Sequence, residues 1–421
     1  MGTIPKRLLS TILAAEVLVL TGCGSPALPE QRIADVEREA VLLTDHPDAV
    51  SALRDSSYRI GAAMLAADPE GNQVTSPVSA LAALAMLRIG ARTTTAEELD
   101  AVLGFPADHR DEAMNALLTD WAAHDGAPGS VDEEEPPEEP LLHLADGIFV
   151  AEDFALREAF LEPLAEHYGA GVYPVDYRGG GAQADLNAWV AHHTGGRIKQ
   201  APLHPTPDTV LNIINTVYFA AAWEDPFDPG NTSPGPFTTS DGEVETPLMH
   251  SLLPLAYAEA DGWQGVDLPY NNGFVMRLIL PAHGSAPIPD AGTLEEINAA
   301  LDAAPEAMVA LTLPSWEHTY DVDLLEVLTT MGLKETLGPA PDFSGIGSGA
   351  LFIAGAAQSA TITVAEKGTI AAAVTQMAMA GSAPPPPDIE LVFDRPFLYQ
   401  ILHEDTGMPL FLGTVMAPGQ T

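Results

Sequence analysis

Cysteine is all but missing: Cys23 is the single one in 421 residues, so no disulfide can form within the chain. Basic residues are scarce too, 17 Lys and Arg against 59 Asp and Glu, for a net charge of −42. A surface that binds nucleic acid or anionic lipid needs clustered Lys and Arg to meet phosphate, so neither is expected as a surface partner. The constellations of catalysis are absent as well. Gly345-Ile346-Gly347-Ser348-Gly349 lacks the glycine two before the serine that a nucleophile elbow needs. His403-Glu404-Asp405-Thr406-Gly407 lacks the second histidine of a zinc helix. His192-His193 reads as a surface pair at a polar helix end, and no Gly-rich phosphate loop occurs. No enzyme, cofactor or metal site is expected.

What is present is enough apolar sequence, 46% of residues, to bury a large core. Lys6 and Arg7, a largely apolar run from Leu8 to Leu20, and Leu20-Thr21-Gly22-Cys23 form the start of the chain. The run is short for a membrane span and reads as a signal peptide. Its end resembles a bacterial lipobox, which makes Cys23 a lipidation site and residues 1–22 a removed leader. Two or three acyl chains anchor stably where one does not. The expected location is therefore extracellular, lipid-anchored to the outer face of a bacterial membrane. Residues 23–48 read as a tether, and 49–421 as one domain.

Helical spacing predicts helices over 49–67, 80–89, 110–123, 156–168, 182–193, 294–303 and 323–331, with another opening at Thr95. The helix at 80–89 is apolar all round and must be surrounded by protein. Asp132 to Glu139 reads as a solvated, mobile acidic loop. Val210 to Phe219 is a strand covered on both faces. Further strand pieces are expected at 141–150, 242–247, 255–258, 265–268, 274–280 and 308–314. The class is α+β, built round large sheets.

The stretch from Val364 to Pro396 carries no catalytic group between Thr369 and Pro387. After Glu366-Lys367-Gly368-Thr369 come small or uncharged residues through Ala383, then four prolines, Pro384 to Pro387. Around it stand other motifs in order: Thr75-Ser76-Pro77-Val78-Ser79-Ala80-Leu81, Met86-Leu87-Arg88-Ile89-Gly90-Ala91, Asn215-Thr216-Val217-Tyr218-Phe219 and Trp223-Glu224-Asp225-Pro226-Phe227. Leu268-Pro269-Tyr270, Asp342-Phe343-Ser344-Gly345-Ile346 and Phe393-Asp394-Arg395-Pro396-Phe397 complete the series. Together they resemble the serpin family over nearly the whole chain after residue 48.

The resemblance implies three β-sheets, about nine helices and an exposed reactive-centre loop at about 366–387. It also implies a suicide-substrate mechanism, in which a serine protease cleaves the loop, stays acyl-linked, and is trapped as the loop enters the main sheet. The hinge would comprise Glu366, Gly368, Thr369, Ala371, Ala372 and Ala373. Thr369, Ala371, Ala373, Thr375, Met377 and Met379 would share the buried face. No proline precedes Pro384 and no charge follows Lys367, so ladder N–H groups are kept and nothing charged need be desolvated. Active members usually carry an acid where Ile370 stands.

Family spacing from Glu366 places the reactive bond at Ser382–Ala383, with Met379, Ala380 and Gly381 as alternates, since a bond next to the prolines is disfavoured. None of these side chains suits a trypsin-like pocket, so an elastase-like or subtilisin-like serine protease is the expected partner. Ser76, Ser79, Asn215 and Gln358 match the family's latch beneath the opening sheet, with Gln358 in place of the usual histidine. The region over 110–139 is acidic, which argues against activation by heparin-type polysaccharide. A monomer is expected. The competing reading is a non-inhibitory serpin-fold lipoprotein with a binding or scaffold role.

Overall fold

The computed structural model describes residues 28–104, 108–132, 135–260, 262–285, 288–369 and 386–419. In chain order come α1 (Pro47–Leu65), β1 (Gln73–Thr75), α2 (Pro77–Gly90), α3 (Thr93–Leu103), α4 (Arg110–Trp121), β2 (Leu141–Ala151), β3 (Ala155–Leu156), α5 (Glu158–Tyr168), β4 (Val172–Val175), α6 (Ala182–His193) and β5 (Leu211–Ala222). Next are β6 (Ser233–Thr239), β7 (Gly242–Ala260), β8 (Trp263–Pro269), β9 (Phe274–Pro281), α7 (Ala291–Asp302), β10 (Glu306–Pro314), β11 (Trp316–Asp323) and α8 (Leu324–Thr330). The chain closes with β12 (Gly347–Ser348), β13 (Ile353–Ala365), β14 (Gly368–Thr369), β15 (Ile389–Val392), β16 (Phe397–His403) and β17 (Met408–Val415).

Three main sheets result, with eight α-helices among the described residues. The first has the order β11-β13-β14-β5-β2-β4. The second, β1-β17-β16-β9-β8-β7, continues through the long β7 into the third, where β6, β7, β10 and β15 pair. The two pieces expected at 242–247 and 255–258 are thus parts of one strand of 19 residues. Pro247 and Pro254 interrupt its pattern without ending it.

The apolar helix is α2, with Pro77 in its first turn, where the missing N–H costs nothing. Ala80 through Leu87 are all buried, and the helix packs against α1, α3, β2, β5 and β17. It lies between the first and second sheets, so its N-terminus, Ser76 to Ser79, faces the inner side of the first sheet. The opposite side of that sheet is covered by α6, whose Leu186, Trp189 and Val190 cluster with Ala145, Phe149 and Ile214. β5 is therefore buried on both faces, as its composition predicts.

From Leu28 on, the stretch read as a tether lies against the body. Arg32 exchanges two backbone hydrogen bonds with Val172, 2.7 and 2.9 Å, at the edge of the first sheet. The Arg38 Nε donates to the Asn115 Oδ1 (2.8 Å), and the Asn115 Nδ2 donates to the Glu39 carbonyl (2.7 Å). The acidic loop is also tied down in part. The Pro137 carbonyl accepts from the Ala222 N–H (3.0 Å), and the Glu139 carboxylate accepts from the Asn272 amide (2.8 Å).

Candidate functional site

The first sheet contains a joint. β5 and β13 run parallel and pair directly from Leu211–Ile353 up to Val217–Ala360, where their direct ladder ends. Above it the two strands diverge, and β14 stands between them. Thr369 pairs with Ala221 on one side and Val364 on the other, and Gly368 with Ala222 and Ala365, antiparallel to both neighbours. Two residues of the predicted hinge are thus already strand.

Each side of this short strand is held. A Cβ on Gly368 would come 2.1 Å from the Ala221 carbonyl oxygen, so only glycine fits the approach. Thr369 is 1% exposed, and its hydroxyl is hydrogen-bonded to the Tyr270 hydroxyl. Tyr270 stacks on Trp223 at 4.2 Å, and the Trp223 indole N–H donates to the Ala365 carbonyl (2.9 Å). The backbone N–H groups of Trp223 and Phe227 donate to the carbonyls of Lys367 (2.9 Å) and Glu366 (2.8 Å). The Glu366 carboxylate accepts from the Thr232 hydroxyl (2.8 Å). Ala371, Ala372, Ala373, the reactive bond Ser382–Ala383, its alternates Met379, Ala380 and Gly381, and Cys23 all lie outside the described residues.

Lower down, the four predicted latch residues come together. The Ser76 N–H donates to the Gln358 Oε1 (2.7 Å), and the Gln358 Nε2 donates back to the Ser76 carbonyl (2.8 Å). An amide can do both at once, which one neutral imidazole nitrogen cannot. Asn215 stands directly across from Gln358 on one side and Asp146 on the other. The Ser79 hydroxyl donates to the Asp146 Oδ1 (3.2 Å). Burial pushes the Asp146 carboxyl up to about 7. The buried Asn215 amide and Ser76 hydroxyl have no hydrogen-bond partner among the described residues. Asp146 escaped the reading of the sequence; its alternation with Leu142, Ile148 and Val150 puts it on the inner face and could have flagged it.

On the outer face, His192 is exposed as expected, but His193 is only half-exposed and has partners. Its Nδ1 lies 2.8 Å from the His143 Nε2 on β2, and the His143 Nδ1 lies 2.6 Å from the Asp125 carboxylate. Burial and the two neighbouring histidines lower His193 to about 3, which keeps it neutral. The histidine pair therefore joins the end of α6 to the sheet. Among the described residues no group of three or more His, Cys, Asp or Glu could hold a metal ion.

Comparison with known proteins gives a consistent result. Residues 51–418 match the family model described as serpin (serine protease inhibitor). An uncharacterised serpin-like protein of Thermococcus kodakarensis is 34% identical over 359 residues, covering 82% of this chain and 81% of the relative. Serpin-Z1C of Triticum aestivum is 30% identical, covering 82% and 90%. Among solved structures, the thermophilic serpin tengpin in its native state superposes with a TM-score of 0.80 at 25% identity, covering 93% of this chain and all of tengpin. Human thyroxine-binding globulin complexed with its hormone superposes with a TM-score of 0.75 at 25% identity, covering 89% and 99%.

Proposed function

The chain belongs to the serpin family, and from that premise we propose that it is a suicide-substrate inhibitor of a serine protease. The hormone-binding neighbour shows that the fold alone does not decide for inhibition. The observation that carries the reading is β14, a strand begun between β5 and β13 and antiparallel to both. Continued in the same register, residue 371 falls opposite Phe219 and Ile362, and residue 375 opposite Asn215 and Gln358. Odd-numbered residues share the inner face with Thr369, so Thr375 brings a hydroxyl to the unsatisfied Asn215 amide. Ile370 falls opposite Ala220 on the outer face, where Tyr218 and Ala220 pack with Val131 and Leu141. On its other side the same register sets it against Thr363, which accepts from the Arg197 guanidinium (3.0 Å), so its surroundings do not explain the departure from the family's usual acid.

The ladder runs down to Leu211, opposite residue 379. The inserted strand is thus used up just before Ser382–Ala383, and a protease acylated there would be carried to the far end of the sheet. Deacylation needs an aligned triad and oxyanion hole, so deformation of the enzyme leaves the ester in place. Small or methionine side chains at the bond suit an elastase-like or subtilisin-like pocket. Lipidation at Cys23 would hold the inhibitor outside the cell on the membrane face.

The test is incubation with subtilisin or elastase followed by a denaturing gel. The proposal requires a band at the summed mass, with Ala383 as the new N-terminus of the released fragment. Cleavage in the loop with no such band would support the binding or scaffold role instead.

A further inference from the structure

The turn between β8 and β9 carries the one Asn-Gly pair of the sequence, Asn272-Gly273. Both residues have positive φ, 56° and 83°, the left-handed backbone for which hairpin turns select this pair. The same pair is chemically labile. Asparagine is among the thermolabile residues, because the backbone nitrogen that follows it can attack its side-chain amide carbon. A following glycine, with no Cβ, leaves that nitrogen unshielded. Here the nitrogen is also unengaged, since the Gly273 N–H makes no hydrogen bond among the described residues. Asn272 is exposed, so water reaches the reacting atoms.

This turn is stitched to the joint of the first sheet. The Asn272 Nδ2 donates to the Glu139 carboxylate (2.8 Å), at the end of the acidic run. The Asn271 N–H donates to the Ala222 carbonyl (3.1 Å), and the Ala222 N–H donates to the Pro137 carbonyl (3.0 Å). Ala222 is the residue that pairs with Gly368 of β14. Just before the turn, the Tyr270 hydroxyl is hydrogen-bonded to Thr369. A chemical change at Asn272 therefore acts on the acidic run and, through Ala222, on the top of β5.

We propose that Asn272 is a site of spontaneous modification, at which the side-chain amide is exchanged for a carboxylate and the acidic run is untied from the turn. The Gly273 nitrogen gives up its proton and bonds to the Asn272 Cγ. The Cγ–Nδ2 bond breaks, ammonia leaves with that proton, and a cyclic imide is closed. Water then opens the ring at either carbonyl, and no other reactant is needed. One opening leaves aspartate; the other leaves isoaspartate, whose backbone runs through the former side chain and is one carbon longer. Either product sets a carboxylate against that of Glu139, where a donor stood before, and like charges side by side repel. Isoaspartate also lengthens the turn that positions Tyr270.

Warm incubation of the intact protein at pH 8, followed by peptide mapping with mass spectrometry, tests this. The peptide with Asn272 should gain the mass of water less that of ammonia and split into two isomers. Asn231, also exposed but followed by Thr232, should stay unmodified and is the control within the same chain. Asn272→Gln, whose longer side chain closes the ring poorly, should abolish the change at this position. In the converted protein, separated by its added negative charge, hydrogen exchange at the Ala222 amide should be several-fold faster than in fresh protein. Asn272→Asp should reproduce part of that rise. The assignment is overturned if Asn272 survives incubation as well as Asn231 does. The link to the joint is overturned if Ala222 exchanges equally fast in converted and fresh protein. Neither readout depends on inhibition, so the outcome stands apart from that of the trapping experiment.

Discussion

Thr369→Arg tests the joint where it is tightest. In the closed protein Thr369 is 1% exposed, wedged between Ala221 and Val364, with its hydroxyl on Tyr270. An arginine there would stand against Tyr270, which packs on Trp223 and Phe219, and an unpaired buried charge costs about 3–5 kcal/mol. The chain can avoid the cost before cleavage by leaving the sheet, but after cleavage insertion must pass residue 369 first. If only about 3 kcal/mol reaches the insertion barrier, insertion slows roughly 100-fold, since each 1.36 kcal/mol is a factor of ten. Deacylation, which depends on the protease, is unchanged, so the variant should be turned over as a substrate. The assay is titration of subtilisin with inhibitor, scoring complex and cleaved bands on a denaturing gel. Thr369→Val, similar in volume and uncharged, should still trap. Complex formation by Thr369→Arg at the native yield would refute the reasoning, because insertion would then not pass through this position.

Other outcomes follow from the latch and the strand register. Gln358→Ala leaves the buried Ser76 N–H without its partner and the Ser76 carbonyl with only the Ala80 N–H (3.3 Å), and should cost about 1–3 kcal/mol, read as a lower thermal midpoint. Thr375→Val removes the hydroxyl predicted to meet Asn215, and should raise the fraction cleaved without trapping a few-fold. Asp146 is raised to about 7 from its ordinary range near 4, so the folded state keeps a proton that the unfolded chain has released. Its contribution to stability therefore falls as pH rises from about 4 to about 7. Asp146→Asn should accordingly raise the thermal midpoint relative to the natural protein at pH 8 and change it little at pH 4.

The sequence discloses what depends on strong local pattern. α6 falls over 182–193 as predicted, and β5 follows from its unbroken β-branched and aromatic run. β13 is invisible by the same criteria. Ala354 to Ala360 consists of Ala, Gly, Ser and Gln with no aromatics, only Thr361 to Val364 alternates, and the whole is a strand because its neighbours in the sheet make it one. That Ser76, Ser79, Asn215 and Gln358 lie close together was legible from family motifs, yet their bonding was not. Ser79 reaches Asp146, whose partner is 67 residues away and has no local signature. His193 looked like a surface residue because its partner, His143, lies on another element brought alongside only by the fold.

Insertion itself is tested most directly by comparing the intact protein with the same protein cleaved in its loop by a protease that does not remain bound. If the loop takes the place opposite Asn215 and Gln358, the cleaved form gains a central strand and should unfold at a markedly higher temperature than the intact one. An unchanged or lower midpoint after cleavage would contradict insertion between β5 and β13, and with it the trapping mechanism.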